Sequence, residues 1–152
     1  MAIEDPVLFR RVFKITGGDF QNAGSVSKEI KKALKQLNTD AEVIWRAMIV
    51  SYEAEMNVVL YARECEMTLE ISQSGIHLVF DDRGPGIPDV GLAMTEGYST
   101  ATREMRERGF GAGLGLPNIK KTSDHLEVVS TVGFGTRLDI RLMFPAAVSK
   151  AA

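Results

Sequence analysis

Eight of the fourteen glycines in this 152-residue chain fall within residues 81–121, little more than a quarter of its length. Glycine loses more backbone entropy on folding than any other residue, so a globular protein concentrates it only where side chains would interfere. The rest of the composition is ordinary, with 45% hydrophobic and 25% charged residues. The sequence therefore predicts one conventional domain that keeps side chains out of one particular region.

Charge, cysteine content and hydropathy exclude several classes of protein. The formal net charge is −2, so general binding to the phosphate backbone of nucleic acids is not expected. The one cysteine, Cys65, excludes an intramolecular disulfide and suits a reducing cytoplasm. No apolar run approaches the roughly 18 residues of a membrane-spanning helix, and the N-terminus lacks the basic-then-apolar pattern of a signal peptide. We therefore expect a cytoplasmic protein with one domain over residues 1–152, its core at about 8–144 and a flexible tail at 145–152.

Two helices are predicted in the N-terminal half, after a strand at 8–15. Apolar residues at helical spacing indicate a first helix over 23–37, and Asn38 is expected to close it. The Thr-Asp-Ala-Glu sequence at 39–42 is typical of a capping box, and the second helix that it opens reaches about Ala62.

The remaining strands are predicted to pair as hairpins. β-rich runs indicate strands at 67–71, 76–80, 126–132 and 136–143, and a short helix is expected to begin near Pro117. Hairpin connections make the sheet mixed but mostly antiparallel, with the helices on one face. The predicted fold is an α+β two-layer sandwich, and it is not doubly wound because strands and helices do not alternate.

The first glycine group, Asp82-x-Gly84-x-Gly86, follows the predicted strand at 76–80. An aspartate at a strand end, followed by a turn without bulky side chains, can present its carboxylate to a flat ligand. The exocyclic amine of adenine would donate to such a carboxylate. The same residues are good turn formers, so this motif by itself is also typical of a surface turn.

The second glycine group places glycine at every other position over 109–116 and leads into the helix expected near Pro117. Alternate glycines allow backbone N–H groups to converge on an anion, and the helix that follows adds unpaired N–H groups and the positive end of its dipole. The spacing matches neither a Walker A loop nor the dinucleotide-binding fingerprint. The pattern indicates a phosphate cradle or, alternatively, a flexible loop.

A third pattern lies in the second predicted helix. Glu53 and Asn57 are four residues apart and therefore share one flank of its core-facing stripe, with Glu55 on the opposite flank. A carboxylate and a carboxamide together offer hard oxygen ligands to Mg²⁺, which keeps most of its waters and takes only one or two protein ligands. Such a pair also occurs often by chance.

Taken together, in this order and spacing, the three patterns resemble the GHKL ATPases, whose Bergerat fold is shared by gyrase, Hsp90, histidine kinases and MutL. Glu53 and Asn57 are similar to the N box, the two glycine groups are similar to the two glycine boxes, and the Gly-Phe-Gly-Thr sequence at 133–136 is similar to the closing glycine–threonine element. The chain most resembles the stand-alone bacterial serine-protein kinases and anti-sigma factors, and among these the stressosome switch kinases. Residues 101–108 depart from that branch because they form a longer and more charged lid.

The resemblance implies a site for ATP and Mg²⁺. Asp82 would accept a hydrogen bond from the adenine amine, with Thr136 supporting it through water. Asn57 would be the Mg²⁺ ligand, and Glu53 would be the catalytic general base that orients the attacking hydroxyl. The residues expected to contact the nucleotide are Asn57, Asp82, Gly84, Gly86, Ile87, Gly109, Gly111, Ala112, Gly113, Leu114, Gly115, Leu116 and Thr136.

The resemblance also implies a function. We expect an ATP-dependent serine/threonine protein kinase of a bacterial partner-switching system, acting on a small antagonist of the STAS type. Two alternatives remain: an anti-sigma factor that acts mainly by sequestering a sigma factor, and an ATPase that transfers phosphate only to water. A homodimer is also compatible with the resemblance.

Overall fold

The computed structural model describes residues 5–95 and 115–145. The predicted lid, the glycine-box positions from Gly109 to Leu114 and residues 146–152 of the predicted tail lie outside these ranges. Within them the elements are β1 Phe9–Thr16, α1 Ser25–Gln36, α2 Ala41–Tyr61, β2 Glu64–Ile71, β3 Gly75–Arg83, α3 Val90–Ala93, α4 Gly115–Thr122, β4 His125–Thr131 and β5 Gly135–Met143. A single 3₁₀ turn, Phe20–Asn22, precedes α1.

The strands of the described ranges form one sheet in the order β1-β2-β3-β5-β4, and each neighbouring pair is antiparallel. Side chains on one face of this sheet are buried, and Leu69, Leu78 and Ile140, which lie opposite one another on β2, β3 and β5, are fully enclosed. Arg137, Asp139 and Arg141 alternate with the buried residues of β5 and point to the opposite, polar face. The α+β two-layer sandwich predicted from the sequence is confirmed.

The helices form the second layer on the apolar face of the sheet. α2 crosses that face and contacts β1, β2, β3 and β5, while α1 packs along one side of it and α4 along the other. α2 is therefore covered on three sides, which explains why ten of its residues are buried. Among the described residues no helix is both long and apolar enough to cross a membrane.

The third strand is longer than the sequence predicts. We expected this strand to end at Phe80, before Asp82. It continues to Arg83 because β2 begins at Glu64, and every residue of β2 pairs with a residue of β3. Asp82 is therefore a strand residue, on the same face as Phe80, rather than the first residue of a turn. The extra pairing fixes the carboxylate against the helix layer.

The C-terminus of α1 and the N-terminus of α2 lie where the sequence predicts them, but the residue that caps α2 differs. Asn38 closes α1 as predicted: it has a φ of 54°, and the N–H groups of Asn38 and Thr39 donate to the carbonyls of Lys35 and Leu34. The cap of α2 is Asp40 rather than Thr39, since the Asp40 carboxylate accepts from the N–H groups of Glu42 and Val43. This aspartate takes over the role that the predicted capping box gave to the threonine.

α1 has no capping side chain of its own and is capped from α2. Its N-cap is Gly24, and the N–H groups of Gly24, Val26 and Ser27 donate to the carboxylate of Glu55 at 2.9, 3.3 and 3.0 Å. The Ser27 hydroxyl donates to the same carboxylate at 2.7 Å. Glu55 is only 1% exposed, so these bonds are made out of contact with water. Glu55 does lie on the flank of α2 opposite Glu53, as the sequence predicts, but its capping role was not foreseen.

Cys65 is a buried residue of β2. Burial raises the pKa of its thiol to about 12, and the carboxylates of Asp82 and Asp81 add to the rise. The thiolate form that reacts with electrophiles is therefore suppressed at neutral pH.

Candidate functional site

The first part of the site lies where α4 begins against the flank of α2. Glu53 and Asn57 are half-buried on that flank, one helical turn apart. A Cβ atom at position 115 would lie 3.0 Å from Asn57 Oδ1 and 3.5 Å from Glu53 Oε2, so a residue other than glycine would press on the Asn57 side chain and touch that of Glu53. The first residue of α4 therefore approaches the carboxylate and the carboxamide as closely as its backbone allows.

The N-terminus of α4 supplies hydrogen-bond donors beside these two side chains. N–H groups in the first turn of a helix have no intrahelical partner, and together with the helix dipole they favour an anion. Pro117 contributes no N–H, which leaves the backbone donors of Gly115, Leu116 and Asn118. The Asn118 side chain also donates to Glu53 Oε1 at 3.5 Å. Sequence reasoning missed Asn118, although its position three residues after Gly115 places it on the same end of the helix.

The second part of the site surrounds Asp82 at the end of β3. Its Oδ1 accepts a hydrogen bond from the Thr136 N–H at 3.0 Å, and the rest of the carboxylate is half-buried. Burial raises the pKa of the Asp82 carboxyl, the Thr136 N–H opposes that rise, and the neighbouring Asp81 carboxylate adds to it. A half-buried carboxylate with spare acceptor capacity and a raised pKa is typical of a ligand-binding position.

A chain of hydrogen bonds fixes Thr136 and the loop that follows β3. The Thr136 hydroxyl lies 2.8 Å from the Ser130 hydroxyl, and Ser130 Oγ accepts from the Ile87 N–H at 2.7 Å. Ser130 thus links the glycine–threonine element to the first glycine group. It was missed from the sequence, yet it shares the helix-facing side of β4 with Leu126 and Val128, where a polar residue needs a specific partner.

The loop after β3 is held against the β4–β5 turn. The Gly84 N–H donates to Phe134 O at 3.2 Å, and the Gly133 N–H donates to Pro85 O at 2.8 Å. Gly86 has a φ of 74°, and a Cβ there would lie 2.5 Å from Thr131 O. The first glycine group is therefore required by the packing of the loop on the hairpin, in addition to the access for a base that the sequence suggested.

α2 sets the distance between the two parts. Gly84 packs against Ala62, which follows the last residue of α2, and Glu53 lies nine residues earlier. At 1.5 Å per residue the two points are about 14 Å apart along the helix axis. Asp82 therefore lies near the C-terminal end of α2, and the α4 N-terminus lies beside residues five to nine positions earlier in that helix, a separation that suits a ligand with a flat group at one end and anionic groups at the other.

The residues present also fit a divalent cation at the anionic end. The Asn57 carboxamide lies beside Gly115, where backbone donors favour an anion, and the Glu53 carboxylate is its neighbour. Mg²⁺ prefers oxygen ligands and shares its coordination with water and with substrate phosphates. Asn57 would be its protein ligand.

The structure thus groups the predicted residues in two sets. Glu53, Asn57, Gly115 and Leu116 meet where α2 and α4 touch, whereas Asp82, Gly84, Gly86, Ile87 and Thr136 meet around the loop after β3. Gly109, Gly111, Ala112, Gly113 and Leu114 lie outside the described residues.

Comparison with known proteins identifies the arrangement. Residues 45–147 match the family model described as histidine kinase-, DNA gyrase B-, and HSP90-like ATPase. The chain is also 29% identical over 128 residues to the Serine/threonine-protein kinase RsbT of Bacillus subtilis (strain 168), a match that covers 82% of this chain and 88% of that protein. These matches confirm the resemblance to the GHKL ATPases and to their stand-alone switch kinases. The chain belongs to the histidine kinase-, DNA gyrase B- and HSP90-like ATPase family.

Proposed function

We propose that this protein is an ATP-dependent serine/threonine protein kinase of a partner-switching system and that it phosphorylates a small STAS-type antagonist protein. The observation that carries the proposal is the position of the Glu53 carboxylate beside the N-terminus of α4, where a nucleotide's phosphates would end. A base at that point is within reach of a hydroxyl that attacks the terminal phosphate. The similarity to a serine/threonine-protein kinase over most of both chains supports the same reading.

The proposed roles follow the two parts of the site. Asp82 accepts from the adenine amine. The Thr136 N–H holds the Asp82 carboxylate in place, and the Ser130 hydroxyl holds Thr136. The α4 N-terminus binds phosphate oxygens. Asn57 would hold Mg²⁺, which would neutralise charge on the phosphates. The partner's hydroxyl oxygen bonds to the γ-phosphorus and its proton passes to Glu53, while the bond from the γ-phosphorus to the bridging oxygen breaks and ADP leaves.

The adenine assignment predicts the effect of Asp82→Asn. The substituted side chain keeps an oxygen acceptor but loses its charge, so the hydrogen bond from the adenine amine weakens. We expect ATP affinity to fall at least about tenfold, or about 1.4 kcal/mol, in calorimetry. Asp81→Asn is the matched control, since Asp81 points to the polar face of the sheet. Equal affinity of the wild type for ATP and GTP would contradict the assignment of Asp82 to the adenine amine.

The metal assignment predicts the effect of Asn57→Ala. The variant lacks the carboxamide oxygen, so a higher Mg²⁺ concentration is needed for half-maximal ATP binding, and we expect a shift of about tenfold. The measurement is ATP binding titrated with Mg²⁺. Asn118→Ala keeps Asn57 and is expected to leave the Mg²⁺ midpoint unchanged. A midpoint that is the same in Asn57→Ala and in the wild type would place the ion on other ligands.

The kinase proposal itself is tested by phosphoryl transfer. Recombinant STAS-domain proteins of the source organism are incubated singly with the kinase and radiolabelled ATP, with Asp82→Asn as the control for nucleotide dependence. We expect one of them to be labelled on serine or threonine. Tight ATP-dependent binding of a partner that stays unlabelled would favour sequestration, and release of free phosphate without protein labelling would favour an ATPase.

A further inference from the structure

α2 carries a second apolar surface on the side that faces away from the sheet. Trp45, Met48, Ile49 and Tyr52 are spaced at i, i+3, i+4 and i+7, so they form one stripe along the helix. Trp45 is 65% exposed and Tyr52 is 43% exposed, while Met48 and Ile49 are partly exposed between them. We call these four residues the outer stripe. An exposed tryptophan and tyrosine on one helix face are typical of a protein-binding surface.

The outer stripe ends next to the phosphate end of the site. Tyr52 immediately precedes Glu53, and Ile49 lies one helical turn before Glu53 on the neighbouring flank. A protein bound along the stripe would therefore place its surface within one turn of the proposed general base.

Lysines on α1 border the stripe on one side. The orientation of α1 follows from two contacts: Ser27 donates to Glu55 of α2, whereas Glu29 pairs with Arg11 of β1 at 3.3 Å. Lys31 lies four residues after Ser27 and so belongs to the side of α1 that faces the stripe, where it is exposed. Lys28 and Lys35 are exposed beside it. The rim is basic although the whole chain has a net charge of −2.

We propose that the outer stripe and the α1 lysines form the docking surface for an acidic partner protein, which presents its serine or threonine hydroxyl to Glu53. This inference rests on the proposed kinase function and adds to it the surface that selects the substrate. Basic residues around an apolar centre attract an acidic partner and determine its orientation. A second copy of this chain fits less well, because a two-fold contact through the same face would set the lysines of one copy against those of the other.

The test uses Trp45, which is the single tryptophan of the chain. Protein labelled with 5-fluorotryptophan gives one ¹⁹F resonance, from the most exposed residue of the outer stripe. The STAS-domain protein that accepts phosphate, left unlabelled, is added in the presence of Mg²⁺ and a non-hydrolysable ATP analogue. We expect the resonance to shift and to become protected from a soluble quencher. Phosphorylation of the partner with an unchanged resonance would overturn the docking surface and leave the kinase function intact.

Variants give an independent readout. Trp45→Ala and Lys31→Glu are expected to raise the KM for the partner at least about tenfold with unchanged ATP affinity, since docking residues act on partner binding alone. Val12→Ala and Lys14→Glu on the polar face of the sheet are matched controls, because Val12 is 42% exposed and Lys14 is exposed. Equal increases in the KM for the partner in the docking variants and in the control variants would overturn the proposal. A resonance that shifts with the protein's own concentration would assign the surface to self-association instead. If no STAS-domain protein binds or is labelled, the kinase function and the docking surface are both wrong.

Discussion

Replacing Glu53 with glutamine is expected to slow phosphoryl transfer to the partner at least about a hundredfold, or about 2.7 kcal/mol in the activation barrier. Glutamine has the size of glutamate and can still accept from Asn118, so the packing of α4 on α2 is retained. What it lacks is the basic carboxylate that, in the proposed mechanism, takes the proton of the attacking hydroxyl. ATP affinity is therefore expected to change by no more than about twofold, in contrast with the loss at Asp82→Asn.

The measurement is single-turnover transfer from radiolabelled ATP, with ATP affinity determined separately. Glu42→Gln is the matched control, because Glu42 is an exposed glutamate in the first turn of the same helix. Transfer at the wild-type rate in Glu53→Gln would remove Glu53 from the chemical step. A parallel loss of ATP affinity and transfer would mean that Glu53 acts in nucleotide binding.

Replacing Glu55 with alanine is expected to lower the free energy of unfolding by about 3 kcal/mol or more. The substitution leaves the N–H groups at the start of α1 without an acceptor in a place that water does not reach, and it opens a cavity between α1 and α2. Glu55→Gln keeps one oxygen acceptor but turns an amide NH₂ towards backbone donors, so we expect a smaller loss of about 2 kcal/mol.

Urea denaturation followed by circular dichroism measures both losses. Glu42→Ala serves as the control and is expected to shift stability by less than about 0.5 kcal/mol, since an exposed side chain leaves no buried group unpaired. Stability losses in Glu55→Ala and Glu42→Ala that agree within error would show that the cap of α1 contributes nothing. Wild-type catalysis per folded molecule in Glu55→Gln would separate this structural glutamate from Glu53, its neighbour two residues earlier.

Residues of the site could be predicted where the partners are only a few positions apart in the sequence. Glu53 and Asn57 follow from helical geometry, because residues four apart share a flank wherever the helix is placed. The alternation of apolar and charged residues over 137–142 likewise indicates which side chains of β5 enter the core. Asn38 could be assigned as the end of α1 because asparagine tolerates a positive φ.

What the sequence could not supply were roles that depend on a partner far along the chain. Glu55 binds the backbone of residues 28 to 31 positions away, and nothing local marks it as a cap. Asp82 was placed just after the strand at 76–80, and only the pairing of Asp82 with Cys65 on β2 shows that the strand continues. Ser130 contacts Ile87 across 43 positions, so its role becomes visible only when β4 and the loop after β3 are placed together.

The hydrogen-bond chain from Asp82 through Thr136 and Ser130 to Ile87 joins segments that an unfolded chain does not hold together. A nucleotide that needs this arrangement binds the native state and has almost no affinity for the denatured one. At a free concentration of about one hundred times its dissociation constant, such a ligand adds about 2.7 kcal/mol to the free energy of unfolding. In a cell that is rich in ATP the protein would therefore tolerate substitutions that unfold the purified, nucleotide-free chain, and its sequence can vary further than measurements without nucleotide suggest.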